Sequence, residues 1–114
     1  MKFIIAGGRD FTNYDLLKES CDLLLLQKVQ EVISGDARGA DSLGEKWASE
    51  NKIRTTIFPA NWNKHGKSAG YKRNIQMSEY ADGLIAFWDG KSKGTKHMID
   101  IAKEKGLEVH VINY

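Results

Sequence analysis

The chain has 114 residues, a formal net charge of +2, 41% hydrophobic and 28% charged residues, one cysteine and one proline. This is one ordinary domain with enough apolar residues for a core, and the composition excludes a disordered, fibrous or disulfide-stapled chain. The bulk charge does not indicate a nucleic-acid binder, so local clustering of charge matters more.

The opening run Phe3-Ile4-Ile5-Ala6 reads as a buried strand that breaks at Gly7-Gly8. Arg9, Asp10 and Phe11 follow, then a helix-start signal at Thr12-Asn13. A short strand, a glycine break and a helix form the opening unit of nucleotide-binding α/β folds, although this pair falls short of a full GxGxxG. The first helix is predicted over about Asn13 to Gln27, where Leu16, Leu17, Cys21, Leu24 and Leu25 recur at helical spacing. Cys21 reads as core packing, and Leu23 and Leu26 widen the apolar stripe toward a second subunit. The second strand, about Val29–Ser34, ends in a second glycine loop, Ser34-Gly35-Asp36-Ala37-Arg38-Gly39-Ala40-Asp41. The helix after it carries Ala40, Leu43, Trp47 and Ala48 on one face.

The third strand is Ile53–Phe58, favoured by Thr55 and Thr56 and stopped by Pro59. Ala60–Lys67 has no periodicity and reads as a surface excursion. A helix beginning near Ser68 includes Tyr71, Ile75 and Met77 and ends before Ala81-Asp82-Gly83. Leu84–Trp88 is a continuous apolar run of the kind buried in parallel sheets. A third glycine loop, Asp89-Gly90-Lys91-Ser92-Lys93-Gly94-Thr95, leads into the last helix with Met98, Ile99, Ile101 and Ala102. Lys103 and Lys105 suit its C-terminus and Gly106 the position just beyond. The last strand is Glu108–Ile112.

The alternation βαβαβαβαβ predicts an α/β fold: a Rossmann-like doubly wound parallel sheet of about five strands in the order 3-2-1-4-5, helices on both faces. Residues 1–114 are read as one domain, with no linker, repeat or low-complexity segment. The glycine loops follow strands one, two and four, so they are expected to meet at the switch point, where such folds bind ligands. Free N–H groups at helix starts attract anions. Candidate ligand and phosphate groups are therefore Gly7, Gly8, Arg9 and Asp10 in the first loop, Gly35, Arg38 and Gly39 in the second, and Asp89, Gly94 and Thr95 in the third. Asp41 is read as a helix cap, Asp89 as a partner for a ribose hydroxyl, and Thr95 as either a phosphate donor or a cap. Lys64, Lys67, Lys72 and Arg73 form a basic stretch with His65, and Lys91, Lys93 and Lys96 follow Asp89, which predicts a basic mouth if both line the crevice. Lys67 and Arg73 join the candidates, Arg73 because its planar fork holds a phosphate bidentately. Trp62 and Trp88 read as packing or as platforms for a base. His65, His97 and His110 lack metal-ligand spacing, so no metal site is expected; no cofactor is expected either. No nucleophile elbow, Walker A motif or Cys/His pattern identifies a catalytic residue.

Taken together, Gly7-Gly8-Arg9-Asp10-Phe11, Ser34 to Asp41, Gly66-Lys67, Gly70, Arg73-Asn74, Ala81-Asp82, Ala86 to Gly90 and Gly94-Thr95 resemble the YspA-like branch of the SLOG superfamily. The resemblance implies a Rossmann-like domain of phage or bacterial type that binds nucleotides or nucleotide-derived ligands. It also implies kinship with DNA-processing protein DprA and with the LOG enzymes, which cleave the base from a nucleoside monophosphate. Arg73, with Met77 and Ala81-Asp82 in step, is similar to the LOG helix arginine, and Gly94-Thr95 to the GT of its PGGxGTxxE loop. The position of the LOG catalytic glutamate is Met98, which cannot take or give a proton. The resemblance thus implies a kept phosphate seat and a missing catalytic half.

The sequence predicts a domain that binds a nucleotide or a phosphoribosyl derivative as a sensor or carrier. Two alternatives stay open: a LOG-related N-glycosidic hydrolase and a DprA-like module for single-stranded DNA, the latter less favoured. A homodimer is expected from the apolar surface of the first and third helices. No membrane segment is expected, and the single unpaired cysteine, with no leader pattern, predicts a cytoplasmic setting.

Overall fold

Five parallel strands form one sheet in the order 3-2-1-4-5 in a computed structural model that describes residues 1–114. The elements are β1 (Lys2–Gly7), α1 (Tyr14–Leu24), β2 (Glu31–Ser34), α2 (Ala40–Glu50), β3 (Arg54–Ile57), α3 (Trp62–His65), α4 (Ala69–Tyr80), β4 (Gly83–Trp88), α5 (Lys93–Glu104) and β5 (Glu108–Asn113). β1 pairs with β2 on one side, where Phe3 lies opposite Val32, and with β4 on the other, where Ile5 lies opposite Ile85.

Side chains alternate across a strand, so an unbroken apolar strand supplies both faces of a sheet. Phe3 and Ile5 of β1 and Ile85 and Phe87 of β4 join Leu17, Cys21 and Trp47 of α1 and α2 in one core cluster. Ile4, Ala6, Leu84 and Ala86 face the other way, onto Met77, Met98, Ile99 and Ala102 of α4 and α5. Trp47 is fully buried, and its Nε1 donates to Asp22 Oδ1 at 2.9 Å, tying α2 to α1. Cys21 is buried in the first cluster, and burial pushes its thiol up to about 12. No helix is long and apolar enough to cross a membrane.

Asn13 caps α1 by accepting the Leu16 N–H at 3.0 Å. The helix ends at Leu24 rather than near Gln27. Leu25 and Leu26 both donate to Cys21 O, and the buried Leu25 turns the chain inward. β2 is shorter than expected: Val29 packs in the core, but the ladder starts where Glu31 pairs with Lys2. β3 is likewise confined to the four residues that pair with β2. Within Ala60–Lys67, expected to be irregular, the short α3 is capped by Asn61, whose side chain accepts the Lys64 N–H at 3.0 Å. A four-residue helix is about one turn, too short to show a period. A 3-10 turn at Gly66–Ser68 joins it to α4. Of the apolar residues in α4, Met77 is buried while Tyr71 and Ile75 are exposed. Gly106 has φ +75°, a left-handed conformation that ends α5 without a Cβ penalty.

Candidate functional site

The loops after β1, β2 and β4 converge with the inner face of α4 around a cavity of about 450 Å³. Glycine at position 7 is required by packing: a Cβ there would stand 2.4 Å from Phe87 O and 2.8 Å from the Ala40 Cβ. Gly39, at φ +75°, approaches the first loop so closely that a Cβ would lie 2.2 Å from Gly8 O. Gly8 O accepts the N–H groups of Phe11 and Ala40, each at 3.2 Å, while the Gly8 N–H donates to Phe87 O. The Gly8 N–H, a donor expected to face a ligand, is therefore used to tie the first loop to β4, and the Ala40 N–H locks the second loop to the first.

Arg73 projects from α4 across the second loop. Its Nη1 donates to Gly35 O and its Nε to Asn74 Oδ1 at 3.2 Å. A Cβ on Gly35 would lie 2.4 Å from Arg73 Nη1 and 2.9 Å from Asp41 Oδ2, so the glycine lets the guanidinium and the buried carboxylate share its place. Burial pushes the Asp41 carboxyl up to about 6, against the lowering influence of the Ala37 N–H and Arg73. Burial also lowers Arg73, countered by Asp41. The expectation that Asp41 caps its helix needs correction. Gly39 is the N-cap residue, and Asp41, inside the first turn, accepts the Ala37 N–H at 3.2 Å.

The amide of Asn74 has one consistent orientation. Its Oδ1 accepts from Arg73, and its Nδ2 lies 3.3 Å from Gly94 O and 3.2 Å from His97 Nδ1. His97 is therefore neutral with its proton on Nε2, and burial lowers its basicity accordingly. Ser92 caps α5, its Oγ accepting the Thr95 N–H at 3.4 Å and lying 3.0 Å from Thr95 Oγ1. Asp89 accepts the N–H groups of Lys91 and Ser92, each at 2.8 Å, which hold its carboxyl below the usual range.

Of the residues singled out from sequence, Gly7, Gly8, Arg9, Asp10, Lys67, Arg73, Gly94 and Thr95 line this cavity. Gly35 and Arg38 line a second one, of about 320 Å³. Gly39 and Asp89 line neither: the first is consumed in packing loop on loop, the second in closing its own turn. The basic mouth also differs from expectation. Lys64, Lys72, Lys91, Lys93 and Lys96 line neither cavity, and the positive charge comes from Arg9, Arg38, Lys67 and Arg73. Lys96 instead pairs with Asp100 one turn along α5, at 2.7 Å. Asn74 and Ser92 were missed as cavity residues. An asparagine in mid-helix, disfavoured there on its own, and a serine three residues before Thr95 were the available signals. Trp62 lines both cavities with its indole half exposed, whereas Trp88 is partly buried and donates from Nε1 to Ser92 O at 3.1 Å. Met98, at the position matching the LOG glutamate, is buried and lines the first cavity.

A doubly wound parallel sheet whose loops meet over a cavity at the β1–β4 switch point defines a Rossmann-like domain. Within that class the chain belongs to the YspA, cpYpsA-related SLOG family, whose model matches residues 1–65. That span holds the first two glycine loops, while Arg73 and the third loop lie beyond it. The chain is 38% identical over 84 residues to the Gene 61 protein of Mycobacterium phage D29, covering 68% of this chain and 67% of the phage protein. Among solved structures it superimposes on DNA processing protein A (DprA) from Streptococcus pneumoniae with a TM-score of 0.77 and 16% identity, over 96% of this chain. It spans 49% of the DprA chain, and the likeness is one of fold.

Proposed function

We propose that the domain binds a nucleotide or a nucleotide-derived phosphoribosyl compound and acts as a sensor or carrier. The observation that carries this reading is the setting of Arg73. Two of its nitrogens are fixed by Gly35 O and Asn74 Oδ1, while Nη2 makes no hydrogen bond within the protein. A half-buried guanidinium held in one orientation at the wall of a cavity, with Arg9 and Lys67 beside it, is suited to an anion. The cavity volume falls in the range of about 300–1,000 Å³ usual for small-molecule sites. Ala6, Tyr71, Met77 and Met98 supply the apolar lining that a base or sugar would meet. Membership in the SLOG family and the DprA-like fold support a ligand of this chemistry.

A second reading, hydrolysis of an N-glycosidic bond, draws support from Asp41. Its carboxyl titrates at about 6, in the range suited to general acid–base work, whereas Met98 offers no proton chemistry. Calorimetry with AMP, ADP-ribose, NAD, cyclic nucleotides and a short DNA strand separates the readings when each ligand is checked afterwards for cleavage. Wild type is expected to bind an intact small ligand. Arg73→Ala is expected to bind it roughly 10- to 150-fold more weakly, the worth of a hydrogen bond to a charged group. Released base that disappears in Asp41→Asn would move the assignment to the hydrolase. Binding of DNA alone, falling steeply with salt, would replace both.

A further inference from the structure

The second cavity is not separate from the first. Arg9, Ala37, Trp62 and Arg73 line both, so the two form one trough divided by a wall of two guanidiniums and an indole. The Arg9 guanidinium carbon lies 6.0 Å from the centroid of the Trp62 ring. On the far side of the wall stand Arg38, Asp36, Pro59 and Ala60. Both arginines common to the two cavities are at the divide, so positive charge is densest in the middle of the trough and falls toward its ends. Each end has its own apolar surface: Met77 and Met98 in one, Pro59 and Ala60 in the other.

We infer that the ligand is two-lobed: a dinucleotide in which a pyrophosphate joins two nucleoside-like halves. This deepens the function proposed above and rests on it. The bridging anion would sit between the Arg9 guanidinium and the free Nη2 of Arg73, which can bind it together. One half would fill the first cavity. The other would enter the second, with Asp36 available to accept from a ribose hydroxyl and Trp62 to stack on a ring. A mononucleotide would leave the Arg38 side empty.

The test is the ratio of affinities for NAD and AMP, measured by calorimetry at one pH and salt concentration. Wild type is expected to bind NAD at least about tenfold tighter than AMP, with ADP-ribose between them, a step of roughly 1.4 kcal/mol. Ala60→Trp fills only the second cavity, so it should bring NAD down to the affinity of AMP and leave AMP within about twofold. Arg38→Ala should lower the same ratio, and circular dichroism with a melting curve checks that each variant folds. Ala60→Leu is the milder filling if the tryptophan disturbs folding. An NAD affinity no better than that of AMP, or an advantage that survives Ala60→Trp or Ala60→Leu, would overturn the two-lobed ligand. If AMP still binds in an Arg73-dependent way, the nucleotide reading stands while this one falls. If no small ligand binds, both fall.

Discussion

Asp41→Asn should make the protein more stable at neutral pH. Asp41 is buried, and its carboxyl is displaced from the ordinary 3.8 to about 6, first by burial and then by Glu45, with Ala37 and Arg73 opposing. Because the acid is weakened in the fold, the native state holds its proton more tightly than the unfolded chain does. Stability from this group is fully present below about pH 3.8 and is lost as pH rises to about 6. The displacement corresponds to about 3 kcal/mol at 1.36 kcal/mol per tenfold change. Asparagine imitates the protonated carboxyl and keeps an acceptor for the Ala37 N–H. The variant should therefore exceed wild type by up to about 3 kcal/mol at pH 7.5, with the gap closing by about pH 4. Urea unfolding of both proteins across that interval measures it. A variant less stable than wild type at pH 7.5, or a gap that does not close on acidification, would refute the argument. A destabilising ionised group kept in a cavity is what a binding or catalytic role would require. An anionic ligand at Arg73 should raise the Asp41 pKa further, so binding near pH 6 should take up protons, visible as a buffer-dependent calorimetric heat.

Two glycines inside helices should respond oppositely to alanine. At Gly44 the new Cβ would lie 2.6 Å from Ile5 Cγ2 and 2.8 Å from Ile5 Cβ. Overpacking of roughly 1–3 kcal/mol then outweighs the roughly 1 kcal/mol gain in helix propensity, and the urea midpoint should fall. At Gly94 nothing lies within 4 Å of the new Cβ, so the alanine should raise stability by up to about 1 kcal/mol. Equal effects in the two variants would contradict the packing described for α2 on β1. The Glu31 carboxyl accepts from Tyr80, from Thr56 at 2.8 Å and from Arg54, and these bonds, that from Tyr80 foremost, hold it down at about 2. Tyr80→Phe should lower the urea midpoint at neutral pH, and the loss should narrow as pH falls from about 4.5 toward 2; an unchanged midpoint would mean that the strap from α4 to β2 carries no stability. Protonating His97 sets an N–H against the Asn74 amide, so stability should decline as pH drops below about 6.5, the sign opposite to that of Asp41. His97→Gln should remove that decline, read from melting temperatures between pH 7 and 5.

The sheet was legible in the sequence because its causes are local. Phe3–Ala6 and Leu84–Phe87 are apolar at consecutive positions, and a strand with apolar residues on both faces can be satisfied only between two helical layers. The glycines after strands one, two and four marked where the chain turns, and the βα alternation carried the parallel sheet, whose order is 3-2-1-4-5. Gly106 announced the end of α5 because only its own backbone angle was at stake.

The site's inner arrangement was not legible, because it depends on residues far apart in the chain. Arg73 meets Gly35 across 38 positions, a contact created when α4 packs beside the second loop. The rotation of α4 about its axis decides that Arg73 and Asn74 look into the cavity while Ile75 stays on the surface. The lysine-rich segments looked like a basic mouth because sequence records charge but not direction, and the side chains of Lys91, Lys93 and Lys96 lie on the solvent side of loop and helix. Sequence by itself thus determined the fold and the strand ends where its glycine loops lie, since hydrophobic period and glycine turns act within a few residues. The tertiary structure decided which charges face the cavity, that Asp41 is buried beside Arg73, and that two cavities share one arginine wall, because each depends on how separate elements pack.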